Sequence, residues 1–289
     1  MAQTMRLFTE EVRAHYDLSN DFYKLFLDPT MTYSSAVYES EDDTLEQAQI
    51  RKLDQAFERA QIKRGQRVVD VGFGWGSSVR RLAEKYGCHA IGLTLSQAQY
   101  DYVQQDLIDR PVKDGKVELR MQGWEEFEEP IDALVSFEVM EHFRHERYRP
   151  FFDRCHQILP KGGRALIQVN AWTDLDEFKA KGLEPTPESV QFAKFIRKEI
   201  FPHAMLPLPK QVIMHAEQAG FKTIERITLR EHYIKTLDEW SANLEANKDR
   251  AIELVGQERY DAYMHYLTGC SKYFSLGHID VPQFTFEAQ

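Results

Sequence analysis

Asp70-Val71-Gly72-Phe73-Gly74-Trp75-Gly76 follows the apolar pair Val68-Val69 and leads into a helix-forming stretch from about Ser77 to Tyr86. A short apolar strand that ends in glycines and continues as a helix is the opening unit of a parallel α/β sheet. The glycines let the backbone turn tightly and approach a ligand, and the helix N-terminus offers free N–H groups and a positive dipole end. The spacing is Gly-x-Gly-x-Gly, whereas a dinucleotide loop is Gly-x-Gly-x-x-Gly. With Asp70 placed to accept a hydrogen bond from an ammonium group, an adenosyl amino acid suits the loop better than a pyrophosphate.

The same alternation continues outward. His89 to Thr94 reads as a second buried strand, and Ser96 with Gln99 caps the next helix. Lys116 to Gln122, Ile131 to Phe137 and Arg164 to Asn170 supply three more strands, the last after the turn Pro160-Lys161-Gly162-Gly163. Strands alternating with helices predict a doubly wound parallel sheet. Upstream, residues 8–29 read as an amphipathic helix closed by Asp28-Pro29. Thr44 and Gln47 form a capping box for a helix to about Ala60, and Lys63 to Gln66 is a turn. Residues 171–215 break the rhythm with Pro185, Pro187, Pro202, Pro207 and Pro209. A helix from Glu188 to Glu199 is expected there, with Val190, Phe192, Phe195 and Ile196 for packing. Such an insertion belongs over the carboxyl ends of the strands, where α/β sheets bind ligands. Phe221 to Leu229 reads as a late strand, 235–267 as long helices, and Val281 to Phe286 as an edge strand.

Composition narrows the function classes. The 289 residues carry 36 basic and 46 acidic side chains, a formal net charge of −10, with 43% hydrophobic residues. So acidic a chain is a poor partner for nucleic acid, whose binding depends on lysine and arginine neutralising phosphates. Cys88, Cys155 and Cys270 are odd in number and far apart, which suggests neither a disulfide framework nor a zinc site, and no metal-ligand cluster is evident. No signal-peptide pattern or transmembrane stretch is seen, so a soluble cytoplasmic protein is expected, one that meets any lipid at a membrane surface or on a carrier.

Further motifs carry a specific resemblance. They are His15-Tyr16-Asp17-Leu18-Ser19 with Phe22, Leu27-Asp28-Pro29-Thr30 with Thr32-Tyr33-Ser34, the loop from Asp70 to Gly76, Gly92-Leu93-Thr94-Leu95-Ser96 and Glu141-His142-Phe143. Late in the chain come His232-Tyr233, Thr236-Leu237-Asp238, Trp240, Leu244 to Lys248, and Tyr266 to Cys270. Over nearly its whole length the chain resembles the cyclopropane-fatty-acid synthase family of S-adenosylmethionine-dependent methyltransferases, especially the mycolic acid cyclopropane synthases and their methyl-branching relatives. The resemblance implies a class I methyltransferase fold in one domain over 1–289. Its parts would be a helical cap (1–62), a Rossmann-like cofactor core (63–170), a substrate-covering insertion (171–215) and a C-terminal completion of the sheet (216–289).

Tyr33, Ser34, Asp70, Gly72, Gly74, Gly76, Thr94, Leu95, Gln99, Gly123 and Trp124 are expected around S-adenosylmethionine. No acid ends the second strand to hold the ribose, so Thr94 or Gln99 must supply that contact, and Trp124 is placed against the adenine. The implied reaction methylates the double bond of an unsaturated acyl chain, on an acyl carrier protein or phospholipid, through a carbocation that closes to a cyclopropane or ends as a methyl branch. The implied base is a bicarbonate held by a cysteine, a glutamate, a histidine and a tyrosine. Glu141 and Tyr233 match two of those positions, whereas Ser35 replaces the cysteine and Gln168 the histidine. Glu138 stands where relatives usually have glycine; it is either a solvated acid at a helix start or, with Glu141, one of two carboxylates beside the cation. Tyr16, Tyr33, Phe201 and Tyr233 are candidate tunnel residues among 18 phenylalanines and 13 tyrosines. Cys270 reads as structural, because sulfonium chemistry needs no thiol, and His142 as a packing or hydrogen-bonding residue. Two other readings are an N- or C-methyltransferase of an amine or prenyl compound, and a non-catalytic relative that binds lipid or carrier protein.

Overall fold

The computed structural model describes residues 19–202 and 204–289. In chain order the helices are α1 (Asn20–Tyr23), α2 (Leu45–Arg59), α3 (Ser77–Glu84), α4 (Gln97–Asp109), α5 (Tyr148–Ile158), α6 (Leu175–Ala180), α7 (Pro187–Phe195), α8 (Pro209–Gln218), α9 (Arg230–Ala246), α10 (Lys248–Val255) and α11 (Gln257–Ser275). The strands are β1 (Arg67–Val71), β2 (His89–Thr94), β3 (Lys116–Met121), β4 (Ala133–Phe137), β5 (Arg164–Gln168), β6 (Ala171–Trp172), β7 (Phe221–Thr228), β8 (Ile279–Asp280) and β9 (Pro282–Ala288).

Seven strands form one sheet in the order β3-β2-β1-β4-β5-β9-β7, and β6 pairs with β8 separately. The first five are parallel, as the alternation of strands and helices requires, and β9 is antiparallel to both of its neighbours. The class I methyltransferase architecture expected from the sequence is therefore present. β1, β2, β4 and β5 are buried along nearly their whole length, which is why they read as unbroken apolar runs. One face of the sheet packs on α5 and α8 through Phe151, Phe152 and Val212, and the other on α2 and α3 through Phe57, Val79 and Leu82. A third core, built on Phe22, Phe26, Trp240 and Tyr263, joins the N-terminal segment to α9 and α11.

The tail corrects one expectation. β9 is an interior strand between β5 and β7, buried along almost all of its length. Pro282, which cannot donate to a ladder, stands at the first residue of the strand, where that loss is tolerated. Of the helix expected over 8–29, residues 8–18 lie outside the described residues; over 19–29 the expectation is corrected, because only Asn20–Tyr23 is α-helical there, capped by the Ser19 hydroxyl, and the chain then tightens into turns before Asp28-Pro29. His15 to Leu18, including Tyr16, lie outside the described residues. The capping box at Thr44 and Gln47 is present. In the insertion, the expected helix forms as α7 followed by a π-helical turn over Ile196–Ile200, and Phe192 packs against α11 at Gly269. Val190, expected to pack there, is exposed. The long C-terminal helices begin at Arg230 and run to Ser275, divided at Asn247 and at Gly256, whose φ is +80°. Among the described residues no helix is long and apolar enough to cross a membrane.

β9 can be tested directly. Phe284, fully buried between the ladders, should cost about 3–5 kcal/mol when truncated to alanine, read as a lower urea midpoint. An edge residue would cost far less.

Candidate active site

The segment before α2 is shaped by one carboxylate. Asp28 accepts from the Thr30 N–H and hydroxyl and from the Thr32 N–H, which turns the chain and delivers Tyr33, Ser34 and Ser35 toward the carboxyl ends of β1 and β4. Gln49 on α2 holds this loop by donating to the carbonyls of Thr32 and Ser34.

A cavity opens beside it, between this loop and the ends of β1, β2 and β4. Its wall includes Tyr33, Ser34, Asp70, Gly72, Gly74, Thr94, Leu95, Gln99, Gly123 and Trp124, so every predicted cofactor residue except Gly76 faces it. Gly76 instead caps α3 with φ +92°, and a Cβ there would meet Val103 at 2.7 Å. Gly72 is required twice over: its φ is +82°, and a Cβ would lie 2.4 Å from Val139. A Cβ on Gly74 would meet nothing within 4 Å, so that glycine leaves a bare cradle. Asp70 is buried and neither carboxylate oxygen has a hydrogen-bond partner among the described residues. Burial raises its pKa to about 7, and the nearby Ser78 hydroxyl and the Lys52 ammonium pull the other way. A carboxylate left in this state at a glycine turn fits the ammonium of S-adenosylmethionine. At the end of β2 the Thr94 hydroxyl donates to Gln99 Oε1 at 3.3 Å, which places both polar side chains where the ribose acid is missing. Trp124 packs on the edges of Phe143 and Phe151, and its indole N–H has no partner among the described residues.

Lys52 is a member of this wall that the sequence reading missed. It lies on the buried face of α2 with Leu45, Ala48, Gln49, Leu53 and Ala56, a helical spacing visible in the sequence. Its Nζ donates to Ser34 Oγ at 2.7 Å and sits 4.5 Å from the Phe137 ring centre. Burial lowers its pKa to about 8, against the attraction of Glu138, Asp28 and Asp70.

The deeper end of the cavity is organised by Glu138. This residue has φ +55°, a backbone conformation that favours glycine, and its side chain lines the cavity. Four donors meet its carboxylate. Oε1 accepts from the Ser35 N–H and from Gln168 Nε2, each at 2.8 Å, and Oε2 accepts from Asn170 Nδ2 and from the Tyr233 hydroxyl, each at 2.9 Å. The reading of Glu138 as a solvated acid at a helix start is thereby overturned. Ser35 acts through its backbone, because its hydroxyl donates to the Ala36 carbonyl. Gln168 is oriented from behind, its Oε1 accepting from Gln283 while Gln283 accepts from Arg59. Asn170, also missed, donates from its backbone and from its side chain to Glu141 Oε1. Glu141 is 6% exposed and its Oε2 has no partner among the described residues. Burial, with the Glu138 charge adding to it, raises Glu141 to about 8. A free bicarbonate does not fit this arrangement, because the Glu138 carboxylate already takes up the Ser35, Gln168 and Tyr233 contacts that were expected to hold it.

Aromatic rings enclose this end. Tyr233 packs against Trp240 and Phe274, Tyr33 against Trp240, and the Tyr33 hydroxyl donates to Tyr266. From the insertion, Phe201 meets Tyr266 and His142, and the Met205 N–H donates to the Glu141 carbonyl. Burial lowers His142 to about 4, which keeps it neutral. Cys270 sits partly buried on α11 with its thiol held protonated by desolvation, unlike a nucleophile.

The family model for mycolic acid cyclopropane synthetase matches residues 3–284. Cyclopropane mycolic acid synthase 3 of Mycobacterium tuberculosis is 47% identical over 278 residues, 96% of each chain. Hydroxymycolate synthase MmaA4 of the same organism is 43% identical over 277 residues, 96% of this chain and 92% of the relative. The solved structure of mycolic acid cyclopropane synthase CmaA1, complexed with S-adenosylhomocysteine and CTAB, superposes with a TM-score of 0.90 at 45% identity, covering 96% of this chain and 98% of that one.

Two outcomes follow from this geometry. Replacing Asp70 with alanine should weaken S-adenosylhomocysteine binding about 10- to 100-fold by calorimetry, the loss of one hydrogen bond to a charged group. Glu141, raised in the folded state above its ordinary 4.5, contributes stability that is present at low pH and lost as pH rises from 4.5 through about 8. The urea midpoint of the wild type should therefore fall across that window more steeply than that of Glu141→Gln; equal slopes would contradict the assignment.

Proposed function

The chain belongs to the mycolic acid cyclopropane synthetase family, and from that premise we propose that it is an S-adenosylmethionine-dependent C-methyltransferase acting on the double bond of an unsaturated acyl chain. One observation supports this most strongly. The cavity with the unpaired Asp70 carboxylate and the glycine cradle ends at an anion, Glu138, whose partner Tyr233 is packed among aromatic rings. Such an end suits a transient cation better than a nucleophile or a polar acceptor.

When bound, S-adenosylmethionine supplies an electrophilic methyl group, and methylation of one alkene carbon leaves positive charge on the other. Asp70 and the Gly72–Gly74 turn hold the amino acid part, Thr94 and Gln99 the ribose, and Trp124 the adenine. The Tyr33 ring, in the cavity wall and backed by Trp240, offers a π face to the cationic carbon, and the cores around Phe22, Phe26 and Phe274 exclude water from it. Glu138 sets a negative charge beside it, and Tyr233, Gln168, Asn170 and the Ser35 N–H keep that charge in place. A cyclopropane forms if the new methyl loses a proton to the ionised Glu141, whose Oε2 has no partner among the described residues, and its C–H electron pair closes the ring; a hydroxylated methyl branch forms if a water adds to the cation and gives its proton to the same carboxylate. The acyl chain arrives on an acyl carrier protein or in a phospholipid.

Purified protein incubated with S-adenosylmethionine and unsaturated acyl chains, offered separately on carrier protein and in phospholipid, should convert one of them to a product heavier by a methylene or by a methyl with a hydroxyl. Saturated chains of the same length should remain unchanged by mass spectrometry. Formation of S-adenosylhomocysteine with amines and with no unsaturated lipid would sink the reading.

A further inference from the structure

Four donors from three distant parts of the chain converge on two oxygens of one side chain, and that side chain sits on a backbone position shaped for glycine. Ser35 comes from the loop before α2, Gln168 and Asn170 from the end of β5, and Tyr233 from α9. Without Glu138 they would leave four N–H and O–H groups pointing into a hole the size of a small carboxylate, a costly arrangement unless an anion fills it. A carboxylate has about four lone-pair sites, and this one has a donor for each.

We propose that Glu138 is a built-in anion: its carboxylate occupies, as part of the chain, the position where a small free anion would otherwise bind, and supplies the charge that stabilises the substrate cation. The proposal rests on the methyl-transfer reading for its catalytic consequence only; the anion position is defined by hydrogen bonds in the chain itself. With all lone-pair sites engaged, Glu138 acts through charge. The backbone explains why the arrangement costs something to keep. A non-glycine residue at φ +55° is strained, and the four charge-assisted hydrogen bonds offset that strain. Gln283 and Arg59 take part at a distance by fixing the Gln168 amide with its nitrogen toward the carboxylate.

Glu138→Gly is the informative variant, because glycine relieves the strained backbone and leaves the donors in place. Labelled formate should bind to this variant, seen by NMR in the absence of any acyl substrate, and should raise its melting temperature; the wild type should show neither effect. In the methyl-transfer assay the wild type should be indifferent to removal of bicarbonate. The glycine variant should be slower by about 100-fold, as when one preorganised electrostatic group is removed, and formate or bicarbonate should restore part of that loss. Glu138→Gln, which fills the hole without charge, should be slow and resist rescue. A glycine variant that binds no formate overturns the proposal whatever the enzyme's substrate proves to be. So does a wild type that loses activity when bicarbonate is withdrawn, or a glycine variant that is fully active without an anion. Failure of the wild type on every unsaturated acyl chain, with formate still bound by the glycine variant, would reject the function and leave the anion site standing.

Discussion

The candidate active site depends on one carboxylate and the donors that hold it. Through Glu138 the loop at Ser35, the end of β4, the end of β5 and helix α9 are joined at a single point. Each of these segments arrives there for its own reasons: Asp28 and Gln49 fold the loop, the parallel ladder sets β4 and β5 side by side, and aromatic packing on Trp240 positions Tyr233. The carboxylate converts their proximity into a site. It also stands in the cavity wall where the polar lining meets the aromatic packing behind Tyr233.

The charges there constrain one another. Lys52, Asp70, Glu138 and Glu141 lie within mutual influence in surroundings that water barely reaches, and they cannot all be ionised independently. Burial pushes Lys52 down and Asp70 and Glu141 up. Glu138 lies among four donors, and its charge adds to burial in raising Glu141. An ammonium at the glycine turn would complete the balance at Asp70, whose oxygens accept no hydrogen bond among the described residues.

Much of this was legible in the sequence, for identifiable reasons. The glycine turn, the absent acid after β2 and the capping residues are local signals, governed by backbone conformation within a few positions, and the structure places them as read. The family motifs marked Glu141 and Tyr233; Tyr233 donates to Glu138, and Asn170 bridges Glu138 to Glu141. What was misread depends on contacts between distant segments. β9 looked like an edge because only the sheet order reveals that β7 lies outside it. Ser35 and Gln168 looked like weakened ligands for a free anion because their partner, Glu138, is brought to them by a left-handed backbone turn that glutamate rarely adopts. Asn170 carried no motif of its own. Lys52 stands in the helical periodicity of α2, but the carboxylates that give it a role, Asp28, Asp70 and Glu138, come from distant segments.

The central claim is that the anion of this site is part of the chain. A crystal structure of the protein with S-adenosylhomocysteine, grown in the presence of bicarbonate, tests it most directly. The account predicts the Glu138 carboxylate between Ser35, Gln168, Asn170 and Tyr233, with no separate anion among those four donors. Glu138 turned outward, with a bicarbonate in its place on the same donors, would contradict it.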